Sequence, residues 1–72
     1  MKMNRHPAVE HLLQFFRYEH LPEHLQAVSK PFAAMAKGIA ENCPANPETT
    51  VALRKLLESK DAAVRAVVAG DQ

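Results

Sequence analysis

A chain of 72 residues with nine lysines and arginines against eight aspartates and glutamates carries a formal net charge of +1. Because the basic residues are spread along it, this balance does not favour binding to a nucleic-acid polymer. No apolar run approaches the roughly 20 residues of a membrane span, and Cys43 is the single cysteine, so we expect a cytoplasmic protein without disulfides. The length predicts one small domain, 1–72, whose core is marginal unless copies associate.

The first predicted helix covers about residues 7–17, and Pro7 suits its first turn. Its apolar positions recur at helical spacing and fall on one face, at Val9, Leu12, Leu13 and Phe16. A helix this short is not stable alone, so it must dock on the rest of the chain or on a neighbouring copy. Whether Phe15 or Phe16 faces the core is left open.

The second predicted helix covers about residues 22–42 and begins at Pro22, where proline is tolerated. Its apolar positions alternate steps of four and three, which is typical of a helix packed on another helix; they are Leu21, Leu25, Val28, Phe32, Met35 and Ile39. Pro31 removes one backbone hydrogen bond in the middle. Because the apolar pattern continues across it, we predict one kinked helix and not two.

The third predicted helix, about residues 47–68, has the clearest boundaries. Asn46 suits the N-cap, Pro47 the first position and Gly70 the position after the end. One stripe of this helix is apolar and contains Leu53, Leu56, Leu57, Val64, Val67 and Val68. The stripe beside it is polar and contains Thr50, Arg54, Glu58, Asp61 and Arg65.

A connection of four residues, 43–46, between helices of about 30 Å each predicts an antiparallel αα-hairpin. The predicted fold is therefore all-α, with a short N-terminal helix and a hairpin. Val67 and Val68 lie near the end of this hairpin, where little of the chain is left to cover them. Together with the short length, this favours a homo-oligomer of hairpins.

No constellation of residues argues for an enzyme, a metal or a cofactor. His20 and His24 are four apart, as in some metal sites, but His20 precedes Pro22, where helical geometry is doubtful. Cys43 has no histidine nearby in sequence that could act as its base. Glu58 and Asp61 are better explained as ion-pair partners on a helix surface than as an acid–base pair.

The remaining signal is a set of aromatic, cationic and hydroxyl side chains: Arg17, Tyr18, Thr50, Arg54, Lys55 and Arg65. Aromatic faces stack on nucleobases, and guanidinium groups match phosphate oxygens. The first turn of the third helix adds a predicted anion site near Thr49 and Thr50. In the alternative interpretation Phe16 is core, Tyr18 lies at an interface, and the two arginines of the third helix pair with Glu58 and Asp61.

Four segments resemble one family of phage proteins: Phe16 to Pro22, His24 to Phe32, Asn46 to Glu58 and Asp61 to Arg65. The family is that of the helical-hairpin "sponge" proteins that counter bacterial CBASS and Thoeris immunity. The resemblance extends from about Phe16 to Ala66. The segment from Pro47 to Glu58 is similar to the family's run of Ser/Thr-x-Ala-Leu-x-Lys-Leu-x-Glu.

The resemblance implies a hexamer of hairpins in the host cytoplasm that sequesters a signalling molecule without cleaving it. The implied ligands are cyclic di- or trinucleotides or cyclic ADP-ribose isomers. By the same resemblance, Tyr18 stacks on a base, Thr50 and Lys55 contact phosphates, and Arg54 and Arg65 lie nearby. The alternative is a structural or protein-interaction hairpin without a small-molecule ligand, and a weaker third possibility is a hydrolase of the same messengers.

Overall fold

The computed structural model describes residues 7–70, which contain helices and no strand. The elements are α1 (Pro7–Leu13), a 3₁₀ turn (Gln14–Phe16), α2 (Glu23–Asn42) and α3 (Pro47–Ala69), so the predicted all-α class is confirmed. α2 and α3 make the most extensive contact, and α1 packs against both. Residues 1–6 and 71–72 of the predicted domain lie outside the described range.

The first helix is shorter than predicted and tightens at its end. The α-helix stops at Leu13, a 3₁₀ turn follows, and Arg17 leaves it in an extended conformation with ψ 142°. This turn directs Phe16 inward, where 4% of the residue is exposed, and leaves Phe15 46% exposed. The ring of Phe15 lies edge-to-face with the ring of His11, with 5.3 Å between the centroids. Phe16 is therefore the core residue.

α2 is a single helix across Pro31, as predicted. The predicted position of Met35 on its packed face is wrong, because Met35 is 59% exposed. The buried positions are instead Ser29, Ala36 and Ala40. Small side chains let neighbouring helices approach closely, so they occupy the centre of the contact, while larger residues such as Phe32 are only partly buried at its side.

The boundaries of α3 follow from its end groups. The Thr49 amide donates to Asn46 Oδ1 at 3.1 Å, which is the expected cap. Gly70 has φ 68° and its amide donates to the carbonyls of Ala66 and Val67, so glycine fits the left-handed position that ends the helix. Val68, in the last turn, is 68% exposed.

The core consists of six apolar side chains: Val9, Leu12, Phe16, Ala36, Ala40 and Leu53. Three come from the N-terminal segment, two from the second half of α2 and one from the first half of α3. The core therefore lies at the end of the molecule where α2 connects to α3. The far end of α3 has no member of this core.

Ser29 is the one buried side chain in the described residues whose polar atom has no hydrogen-bond partner. Ser29 is 1% exposed, and its Oγ neither donates nor accepts a hydrogen bond. An unsatisfied buried hydroxyl costs about 1 to 3 kcal/mol. We therefore expect Ser29→Ala to raise the free energy of unfolding by about 1 to 3 kcal/mol, measured by urea unfolding followed by circular dichroism.

The matched control is Ser59→Ala on α3, where the serine is exposed. That substitution gains only helix propensity, up to about 0.7 kcal/mol. The amount by which Ser29→Ala raises the free energy of unfolding more than Ser59→Ala does is the effect of the buried hydroxyl. An equal gain at both positions, or a loss at Ser29, would show that the hydroxyl of Ser29 is satisfied in solution.

Candidate functional site

The segment between the 3₁₀ turn and α2 is held in place by a side chain of α2. Leu21 N donates to the Tyr18 carbonyl at 3.0 Å, which closes a turn over residues 18–21. Gln26 Nε2 donates to the Leu21 carbonyl at 2.8 Å and to the Glu19 carbonyl at 3.3 Å. These bonds fix the backbone next to Tyr18 against the first turns of α2.

A cleft of about 240 Å³ lies beside this segment. We call it the junction cleft, and it is lined by Leu13, Phe16, Arg17, Tyr18, Glu19, Ala33 and Lys37. Its lining combines two cations, one phenol, one carboxylate and an apolar part. Such a set can bind an anionic group beside a planar ring, since guanidinium and ammonium groups donate to anionic oxygens and aromatic rings stack.

Two of the six predicted site residues, Arg17 and Tyr18, line the junction cleft. Sequence reasoning missed Lys37, which joins them from α2. Lys37 is 19 residues after Tyr18 and forms no motif with it, so the fold alone brings the two together. Among the described residues Lys37 has no ion pair or hydrogen bond, and its ammonium group is available to a ligand.

Thr50 lies in a different place. It lines a second cleft, of about 580 Å³, at the start of α3. The other lining residues of this cleft are Ala45, Asn46, Pro47 and Val51. The amides of Thr49 and Thr50, from which an anion site is predicted, are both engaged in hydrogen bonds. Asn46 already accepts from both, through its side chain at 3.1 Å and its carbonyl at 3.5 Å, and Pro47 has no N–H.

Arg54 and Arg65 are exposed and, within residues 7–70, have no ion pair. The predicted pairing of these arginines with Glu58 and Asp61 is wrong, whereas the core position of Phe16 in the same alternative interpretation is confirmed. Glu58 lies 3.7 Å from Lys55 Nζ, and Asp61 lies 3.2 Å from Lys60 Nζ. The Lys55 pair is well exposed, so it is of little energetic value and leaves Lys55 free to exchange partners.

The six predicted residues therefore do not form one site within a chain. Thr50 and Arg65 are 15 residues apart on α3, which corresponds to about 22 Å along the helix axis. Arg17 and Tyr18 belong to the junction cleft, and Arg54, Lys55 and Arg65 line neither cleft.

No group of three or more histidine, cysteine, aspartate or glutamate side chains within residues 7–70 is placed to hold a metal ion. His20 and His24 are both exposed, and Cys43 is a half-buried free thiol in the connection between α2 and α3. In the same part of the chain, no helix combines the length and the apolar character that crossing a membrane requires.

Comparison of the chain with protein-family models, with curated proteins and with solved structures finds no match.

Proposed function

We propose that this protein binds a cyclic oligonucleotide or a cyclic ADP-ribose isomer and sequesters it without cleaving it. The observation that carries the proposal is the junction cleft, where Arg17 and Tyr18 meet Lys37 beside an apolar wall. These side chains suit a ligand that combines phosphate with a planar base. Sequestration needs affinity alone, and the resemblance of the chain to phage sponge proteins points to the same use, evasion of CBASS or Thoeris immunity in the host cytoplasm.

We further propose that α2 and α3 form an antiparallel hairpin and that the ligand site is completed by assembly, as a hexamer by the resemblance. The junction cleft, at about 240 Å³, is smaller than the roughly 300 to 1,000 Å³ typical of a pocket for one drug-sized ligand. The radius of gyration is 13.1 Å, whereas a compact chain of this length has about 11 Å. An elongated molecule with a small core gains stability when copies pack together.

The second candidate is a protein-interaction helical hairpin without a small-molecule ligand. The observation in its favour is the set of exposed apolar side chains, above all Met35 at 59% and Val68 at 68%. Apolar side chains clustered at the surface mark protein contacts when they form one patch. In this case the unpaired arginines of α3 belong to an interface.

Arg54→Gln separates the two candidates, because Arg54 has no partner in the described chain and its loss leaves the fold intact. If Arg54 contacts ligand phosphate, we expect affinity for the cyclic ligand to fall about tenfold or more. Sedimentation velocity of the variant should match that of the wild type. Titration calorimetry of both proteins measures the affinity.

Arg54→Lys is the matched control, since it keeps the charge and should retain part of the affinity. If Arg54→Gln binds ligand normally but sediments as a smaller species, Arg54 belongs to an interface and the binding proposal loses one of its contacts. The protein-interaction candidate would then be favoured.

A further inference from the structure

Lys37 lines the junction cleft opposite the segment that carries Arg17 and Tyr18. We propose that Lys37 contacts the ligand, and that the junction cleft of each chain takes one nucleoside phosphate unit with Lys37 and Arg17 on its phosphate. This inference rests on the proposed function and assigns a residue and a ligand portion to its site.

Charge supports a single phosphate in this cleft. Lys37 and Arg17 contribute two positive charges and Glu19 one negative charge, so the formal net charge of the lining is +1. A phosphodiester carries one negative charge and would leave the lining neutral. The carboxylate of Glu19 contributes to this balance from beside the backbone amide of Tyr18, from which its Oε1 accepts at 3.3 Å.

The apolar part of the lining suits the base of the same unit. Phe16 is 4% exposed and forms the floor of the cleft, whereas Tyr18 is half-buried, so part of its side chain is open to a planar group. Ala33 contributes a small side chain and leaves room for a planar group. Stacking on an aromatic ring is worth about 1 to 3 kcal/mol per base in single-stranded nucleic-acid complexes. A volume of about 240 Å³ offers space for a part of a cyclic ligand and not for all of it.

The test uses small probes that separate phosphate from base: 3′,5′-cyclic AMP, which has one phosphodiester, and adenosine, which has none. Both are titrated into the isotope-labelled full chain and followed through the backbone amide signals of Arg17, Tyr18 and Ala33. We expect both probes to shift these signals, with cyclic AMP bound about tenfold or more tightly. Lys37→Gln should lower the affinity for cyclic AMP about tenfold and leave that for adenosine unchanged.

Lys30→Gln is the matched control. Lys30 is an exposed lysine two helical turns earlier on α2 and does not line the cleft, so its loss should change neither affinity. Equal effects of the two lysine substitutions, or a loss of adenosine binding in Lys37→Gln, would overturn the assignment. So would the absence of any shift at the cleft with either probe.

The failure of this inference is distinguishable from failure of the proposed function. If a cyclic oligonucleotide or cyclic ADP-ribose isomer binds the wild type and Lys37→Gln equally well, the function stands and the role of Lys37 is wrong. If none of those ligands binds but cyclic AMP shifts the cleft signals in a Lys37-dependent manner, the cleft assignment stands and sequestration of a cyclic messenger is wrong.

Discussion

Leu53→Ala is expected to lower the free energy of unfolding by about 2 to 5 kcal/mol. Leu53 is fully buried and is the one apolar side chain of α3 in the core of the described chain. A chain of this length has a total stability of about 4 to 11 kcal/mol, so the loss removes a large share of it. Urea unfolding followed by circular dichroism measures the change.

Val51→Ala is the control, since Val51 lies two residues earlier on α3 and is 46% exposed. A surface substitution of this kind changes stability by no more than about 0.5 kcal/mol. A small effect of Leu53→Ala, similar to that of Val51→Ala, would contradict the packing of α3 against the N-terminal segment.

Phe16→Ala is expected to cost about 3 to 5 kcal/mol and to disrupt ligand binding as well. Phe16 is buried in the core through the 3₁₀ turn and also lines the junction cleft. Its removal loosens the turn that precedes Arg17 and Tyr18. Thermal unfolding measures the loss of stability. Titration with the cyclic ligand, at a temperature where the variant is still folded, measures the loss of binding.

The neighbouring Phe15→Ala provides a control of the same residue type. Phe15 is 46% exposed and pairs edge-to-face with His11, so its removal should cost clearly less than the roughly 3 to 5 kcal/mol expected for the buried Phe16. If Phe15→Ala were the more damaging substitution, the 3₁₀ turn would direct the other ring inward and the junction cleft would have a different wall.

The ends of α3 could be predicted because each has its own chemical signal. Asn46 and Pro47 mark its start and Gly70 its end, and the structure differs from the predicted range of 47–68 by a single residue at the C-terminus. The 3₁₀ turn at Gln14–Phe16 has no such signal. Its residues fit an α-helical pattern equally well, and tertiary packing of Phe16 decides the conformation.

The packed face of α2 could not be predicted from hydrophobicity alone. Met35 is the more apolar residue, yet Ala36 is fully buried, because close packing of helices depends on side-chain size as well as on polarity. Polarity alone also fails to predict the burial of Lys60 on α3. Its side chain is only 14% exposed, on the face between Leu57 and Val64, where a long aliphatic stem can cover apolar surface.

The candidate site was predictable in its residue types and not in their grouping. Arg17 and Tyr18 are adjacent in sequence, so their meeting in one cleft required only that the segment be exposed. Lys37 reaches the cleft through the packing of α2, which no local pattern encodes. The amides of Thr49 and Thr50 looked available from sequence, but the Thr49 amide donates to the capping side chain of Asn46 and the Thr50 amide to the Asn46 carbonyl.

Sequestration of an intact cyclic messenger is tested most directly by calorimetric titration of the folded wild-type protein with cyclic di- and trinucleotides and cyclic ADP-ribose isomers. The bound ligand is then released by heating and identified by chromatography. We expect saturable binding of at least one of these ligands and its recovery in unchanged form. Recovery of a cleaved ligand, or no binding of any of them by protein that circular dichroism shows to be folded, would contradict it.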